Sequence, residues 1–123
     1  MDLDYEHISE EAKKVLDDLL GRSEPLKAKD RLAIPPQPMP SQPSGVRIKN
    51  MNEVSIGYTP EQARVEARRC LQCKNAPCIK GCPVTINIPA FLEQIAENNF
   101  KEAIDVIKQS SLLPAICGRV CPQ

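Results

Sequence analysis

The sequence predicts an all-α protein, because helix signals recur along the chain and no useful stretch alternates apolar and polar residues as a strand would. Apolar residues recur at helical spacing near the N-terminus, and a strong helix-start signature stands at residues 59–62. Twelve prolines among the 123 residues interrupt regular structure. A chain of this length is typical of one domain, here with a thin core.

Residues 1–45 are predicted to form an N-terminal helix followed by a proline-rich arm. The helix is expected over residues 9–20, with Ser9 as its N-cap and Gly21 at its end. Its apolar residues follow helical spacing and predict one stripe that packs on another part of the protein: Ala12, Val15, Leu16, Leu19 and Leu20.

The proline-rich arm spans residues 35–45, where five of the eleven residues are proline. Such a segment cannot form a helix or a central strand, and its stiffness predicts an extended chain laid along a surface. A recognition peptide for an aromatic groove would have a similar composition, but we favour an intramolecular strap.

Residues 46–123 are predicted to form a helical domain that contains every cysteine. Thr59 is a capping residue, Pro60 stands at the first helical position, and Gln62 follows the cap by three residues, so a helix should begin here. We expect this helix to run to about Arg69 and to deliver the first cysteine at its end.

Two shorter helices are expected near residues 89–97 and 100–108. Their inward-facing residues follow from the apolar spacing. These residues are Phe91, Leu92, Ile95, Ala103, Ile104 and Ile107.

Composition excludes several functional classes. Sixteen basic and sixteen acidic side chains cancel, which argues against general nucleic-acid binding. No run of about 18 apolar residues is present, and the N-terminus is acidic and polar, so we expect no membrane span, no signal peptide and a cytoplasmic location. The only histidine, His7, is far in sequence from every cysteine, which argues against catalysis by a Cys–His pair. We predict no catalytic residue in this chain.

Six cysteines stand between residues 70 and 121, and none precedes them. Cytosolic thiols stay reduced, so cysteines at this density more often bind metal or do redox chemistry than form disulfides. A disulfide framework would also normally connect the whole chain. The cysteines are therefore predicted to serve one site or a pair of sites.

The cysteine spacing predicts iron–sulfur clusters. A [4Fe–4S] cluster needs about four thiolates, and a cysteine followed by proline is typical of a ligand that crosses to a second cluster. The pattern C-x2-C-x4-C-x3-C-P is followed by a second group, C-x3-C-P, which repeats the Cys-Pro feature. The simplest interpretation is that there are two clusters and that they share the ligands of both groups. The groups comprise Cys70, Cys73, Cys78 and Cys82, and then Cys117 and Cys121.

Basic residues surround the first group of cysteines. Because a thiolate-ligated cluster is anionic, a cationic environment would stabilise its reduced state and raise its potential. A solvated helix face would show the same charges, and both interpretations stay open. The residues are Arg64, Arg68, Arg69, Lys74 and Lys80, against the single acid Glu66.

Zinc is the main alternative to iron and sulfide. The four cysteines of the first group could form a tetrahedral site in a zinc-stabilised helical interaction module without redox activity. Zinc sites usually pair two C-x2-C motifs, however, and this sequence has no second one. The spacing therefore favours iron–sulfur over zinc.

Five segments together resemble one known family. The sequence is similar to the N-terminal helical ferredoxin-like domain of the NADPH-dependent glutamate synthase small subunit, and to the related domains of ferredoxin:NADP oxidoreductase and dihydropyrimidine dehydrogenase. The resemblance covers nearly the whole chain. The segments are GYTPEQA at 57–63, RCLQC at 69–73, GCPV at 81–84, IP at 88–89 and CGRVCPQ at 117–123.

The resemblance implies an alpha-helical ferredoxin-like fold with two [4Fe–4S] clusters between its helices. By position, one cluster would be held by Cys70, Cys73 and Cys78, and the other by Cys82 and Cys121. The remaining cysteine, Cys117, corresponds to a structural residue of the family and is left out of the predicted ligands.

The resemblance also implies cofactors and partners beyond residue 123. In this family, further ligands and a pair of FAD- and NAD(P)H-binding domains follow. We therefore expect the ligand set to be incomplete here, with FAD and NADPH bound outside this chain and no catalysis by the chain alone. The implied function is single-electron relay between FAD and a partner flavoprotein subunit.

Overall fold

The computed structural model describes residues 5–122, and in that range it contains helices and no strand. This confirms the predicted all-α fold class. None of the helices in this range is both long and apolar enough to cross a membrane. The helices are α1 (Tyr5–Leu20), α2 (Ala28–Ala33), α3 (Ser44–Arg47), α4 (Pro60–Ala67), α5 (Pro77–Gly81), α6 (Ile88–Ala96), α7 (Phe100–Lys108) and α8 (Pro114–Val120).

The chain divides into two compact units, residues 1–69 and 70–123. The first unit contains α1 to α4 and the proline-rich arm. The second contains α5 to α8 and all six cysteines. The domain boundary expected near residue 46 stays a prediction.

Helix α1 begins at Tyr5, so the prediction that Ser9 caps it is wrong. Ser9 lies inside the helix, and its hydroxyl donates to the Glu61 carboxylate on α4 at 3.4 Å. Ile8, which is buried, extends the apolar stripe by one turn, so packing extends the helix past the local capping signal. The predicted end is confirmed, because the Gly21 N–H bonds the Asp17 carbonyl at 2.9 Å just after Leu20.

The core of the first unit is small and aliphatic. Leu16, Leu19, Ile34 and Val65 form it, with partly buried apolar neighbours packed against them. The predicted stripe on α1 is confirmed except at Leu20, which is 50% exposed. Leu20 lies about 100° beyond Leu19 around the helix axis, which turns it away from this core.

Helix α4 begins with the predicted capping box. The Thr59 hydroxyl accepts from the Gln62 N–H at 3.1 Å, and the Gln62 side-chain oxygen accepts from the Thr59 N–H at 3.2 Å. The helix ends at Ala67, two residues before the predicted end. Its Arg68 carbonyl accepts from the Arg31 guanidinium at 3.1 Å, which satisfies one of the carbonyls left open at a helix end.

The proline-rich arm packs along α4, which confirms the intramolecular strap. The side-chain amide of Gln62 donates to the Pro38 carbonyl at 2.8 Å, and the Gln37 N–H donates to the Glu66 carboxylate at 3.0 Å. Beyond Pro40, which is buried, an isolated antiparallel bridge pairs residues 41 and 55. The arm was predicted to stay extended to residue 45, but it ends where α3 begins at Ser44.

Helices α6 and α7 pack on each other in the second unit. Their bounds agree with the expected 89–97 and 100–108 to within a residue. Ala103 is buried, and the other predicted inward residues are half-buried, as expected for a thin core. The short helices α2, α3, α5 and α8 were not predicted.

Gln62→Ala should lower the free energy of unfolding by roughly 2–3 kcal/mol, since buried polar groups left without partners each cost about 1–3 kcal/mol. Gln62 is fully buried, and its loss would leave the Pro38 carbonyl and the Thr59 N–H unsatisfied. Urea denaturation followed by circular dichroism measures the change. The same substitution at the exposed Gln109 is the control. Equal destabilisation by the two variants would refute this account of the strap.

Candidate metal centre

The four cysteines of the first group lie on and beside the short helix α5. Cys70 is half-buried and Cys73 exposed in the loop that precedes α5. Cys78 is exposed on the helix, and Cys82, half-buried, is its C-cap. All four are free thiols, so the segment presents several sulfur donors within thirteen residues.

Prolines determine where α5 begins and ends. Pro77 occupies its first turn, where a missing N–H costs nothing. Pro83 follows Cys82, and the residue before a proline is driven out of the helical region, so Cys82 has extended backbone with φ −83° and ψ 122°. Cys78 and Cys82 are separated in sequence by about one helical turn. Because the backbone at Cys82 is extended and not helical, its side chain does not continue the helical arrangement of α5.

Backbone N–H groups surround the sulfur of Cys82. Those of Ile86 and Val84 donate to it and lower the pKa of the thiol below its ordinary value. Partial burial of the thiol opposes this shift by raising the pKa. The Thr85 N–H lowers the pKa further, by a smaller amount than the other two N–H groups. Thr85 has a φ of +52°, unusual for a β-branched residue, and its N–H also bonds the Cys82 carbonyl at 2.9 Å. This turn stabilises a thiolate, the form that ligates metals.

The sulfur of Cys70 has a side-chain donor. The amide nitrogen of Gln72 lies 3.6 Å from it and 3.0 Å from the Pro89 carbonyl oxygen. Two predicted ligands in the first group thus have a nitrogen donor directed at sulfur.

The second group of cysteines lies on α8. Cys117 is half-buried within the helix and shares a 3.2 Å hydrogen bond with the buried hydroxyl of Ser111. Cys121 is exposed and is the C-cap of α8, again with extended backbone before a proline. The two thiols therefore differ, since Cys117 is held by a buried partner and Cys121 is accessible.

Sulfur donors of this kind fit an iron–sulfur cluster in their chemistry. In the part of the chain that the structure describes, no three His, Cys, Asp or Glu side chains are gathered closely enough to hold a metal ion. The zinc alternative thus has no observation in its favour among the described residues.

The basic residues that lie near the first group in sequence are of two kinds. Lys74 and Lys80 are exposed, on the same segment as the cysteines. Arg64 is half-buried on α4, and its Nε is buried without a hydrogen-bond partner among the described residues, which does not fit a solvated face. Glu66 pairs with Arg69, so one of the predicted positive charges is compensated.

Sequence reasoning missed the donors that contact the sulfurs. The Cys-Pro signal pointed to Cys82 as a ligand but gave no sign that the N–H groups of Val84 and Ile86 would turn toward it. The side chain of Gln72 is also bonded to the Pro89 carbonyl, seventeen positions away, which no local pattern indicates. No motif marked Ser111 as the partner of Cys117.

Comparison with known proteins places the cysteine region in one family. The sequence profile of the family described as dihydropyrimidine dehydrogenase domain II, 4Fe-4S cluster, matches residues 47–123, more than half of the chain. The matched region contains all six cysteines. This confirms the family resemblance that the motifs predicted.

Curated relatives carry the same region. The glutamate synthase [NADPH] small chain of Halomonas elongata is 40% identical over 82 residues, which is 67% of this chain and 17% of that protein. The NAD-dependent dihydropyrimidine dehydrogenase subunit PreT of Salmonella typhimurium is 42% identical over 58% of this chain and 17% of its own length. The NADPH-Fe(3+) oxidoreductase subunit beta of Geobacter sulfurreducens is 38% identical over 61% of this chain and 11% of its own length.

The matched stretch thus corresponds to about a sixth or less of these relatives. The three names specify NADPH for the glutamate synthase and for the Fe(3+) oxidoreductase, and NAD for the dihydropyrimidine dehydrogenase, and each names a small chain or a subunit. On the strength of the profile match, the chain belongs to the dihydropyrimidine dehydrogenase domain II family, the family described by its 4Fe-4S cluster.

Proposed function

We propose that this chain is the iron–sulfur electron-transfer module of an NAD(P)H-dependent flavin oxidoreductase of the glutamate synthase small-subunit type. The observation that carries the proposal is the family match over the whole cysteine region. The backbone N–H donors at the sulfur of Cys82 support it, because they lower the pKa of this thiol and favour the thiolate form that iron requires.

The proposed ligands follow the family resemblance. Cys70, Cys73 and Cys78 would hold one cluster, while Cys82 and Cys121 would belong to the other. The extended backbone at Cys82 supports this division, because it separates that thiol from the α5 face that carries Cys78. The hydrogen bond between Cys117 and the buried Ser111 supports a structural role for Cys117.

A bound [4Fe–4S] cluster would supply reversible one-electron chemistry at a potential that the protein tunes. The chain's own residues would place the sulfurs, donate N–H groups to them and surround them with charge. Lys74 and Lys80, exposed beside the cysteines, would favour the more negative reduced state.

The proposed partners are FAD- and NAD(P)H-binding domains and a flavoprotein subunit. The relatives' names, which specify NADPH or NAD and a small chain or subunit, support this part. FAD itself rests on the family resemblance. Six free cysteines suit a reducing compartment, so we place the protein in the cytoplasm.

Reversible electron uptake tests the proposed function. The full-length protein, purified without oxygen, should bleach in the visible range when titrated with dithionite and recover its colour when reoxidised. Each cluster should take up one electron. A zinc-stabilised interaction module would show no visible absorbance and no electron uptake, and that result would refute the proposal.

Serine substitutions test the ligand roles. In the full-length protein, Cys73→Ser should remove one cluster and Cys121→Ser should perturb the other, because serine replaces a thiolate ligand poorly. Cys117→Ser should keep iron near the wild-type content, because this residue is proposed to bond Ser111 instead. Iron and sulfide analysis measures the outcome. If Cys117→Ser lost as much iron as Cys121→Ser, the assignment of Cys117 would be wrong.

A further inference from the structure

Gln72, between two predicted ligands, has an unusual backbone conformation. Its φ is +52°, in the left-handed region that non-glycine residues rarely occupy. A residue held there is strained, and the conformation persists only where surrounding contacts outweigh the strain. The side chain of Gln72 makes such contacts.

The side-chain amide of Gln72 serves two acceptors. Its nitrogen carries two N–H donors, and it lies 3.0 Å from the Pro89 carbonyl oxygen and 3.6 Å from the Cys70 sulfur. One amide group can therefore bond a carbonyl and a sulfur at the same time. Glycine would adopt this backbone more easily, but it would provide neither bond.

The carbonyl that Gln72 contacts belongs to a helix that packs against a second helix. Pro89 lies in the first turn of α6, and α6 packs on α7 to form the main helix pair of the second unit. The amide thus connects the loop that carries Cys70 to this helix pair. A loop tethered in this way holds its sulfur in one place more firmly than a free loop does.

We propose that Gln72 is a positioning residue that fixes the Cys70 sulfur and raises the reduction potential of the cluster that Cys70 helps to bind. The proposal rests on the proposed function. Adding an electron makes the ligating sulfurs more negative, and an N–H donor stabilises the more negative state. Removing the donor should therefore make reduction less favourable.

Cys82 offers an internal reference. Its donors are backbone N–H groups of Ile86 and Val84, which a substitution at Gln72 does not remove. Cys82 is also assigned to the other cluster. Loss of the Gln72 amide should therefore affect one cluster and leave the second unchanged, whereas a general loosening of the fold would affect both.

The test compares reduction potentials in the full-length, cluster-loaded protein by redox titration followed by electron paramagnetic resonance. Gln72→Leu keeps the approximate size and charge but removes the donor. The equilibrium constant for reduction of one cluster should fall roughly three- to tenfold, which is the size of effect expected from the loss of one hydrogen bond. A tenfold fall corresponds to about 59 mV for a one-electron couple.

Two further variants make the result specific. Gln72→Lys restores an N–H donor and should return the potential to the wild-type value or above it. Gln109→Leu places the same substitution at an exposed glutamine on the C-cap of α7 and should change neither potential. If Gln72→Leu lost its cluster altogether, retention of the cluster by Gln72→Lys would support the proposal, and its loss from both variants would overturn it.

A wild-type protein without iron and sulfide would refute the proposed function and this inference together. A wild-type protein with both clusters whose potentials are the same in Gln72→Leu would overturn the role of Gln72 alone. A shift of equal size in both clusters would also overturn it, because the effect would then not act through Cys70.

Discussion

Hydrogen bonds from nitrogen to sulfur shape the cysteine region. A thiol that must bind iron has to be present as thiolate, and N–H groups directed at the sulfur stabilise that charge. Cys82 obtains such donors from the turn after Pro83. At Cys70, the amide nitrogen of Gln72 lies 3.6 Å from the sulfur. Both arrangements require unusual backbone, at Thr85 and at Gln72, each with a φ of +52°. Two of the three non-glycine residues with positive φ among the described residues therefore lie beside a cysteine sulfur, while the third, Asn98, lies between α6 and α7.

The first unit depends on a different interaction, the burial of Gln62. This side chain closes the capping box of α4 and also donates to the Pro38 carbonyl of the proline-rich arm. A buried amide with all its partners in place fixes a unique arrangement, since any displacement leaves polar groups unsatisfied. The small aliphatic core alone would specify the path of the arm less strictly. The same glutamine thus starts a helix and holds the strap.

Features set by neighbouring residues were predictable from sequence, and features set by distant contacts were not. The start of α4 was predicted because the cap, Pro60 and Gln62 act within four residues. The start of α1 was missed because Ile8 is buried by packing, which outweighed the local signal at Ser9. Cysteine spacing identified the candidate ligands, since the motif is local in the chain. The contact of Gln72 with Pro89 depends on a left-handed backbone and the position of α6, and neither leaves a pattern in the sequence.

The content of iron, acid-labile sulfide and zinc in the full-length protein, purified without oxygen, tests the central claim most directly. If the cysteine region holds [4Fe–4S] clusters, the protein is brown and contains iron and sulfide in near-equal amounts, with little zinc. Stoichiometric zinc in a colourless protein without sulfide would contradict the account.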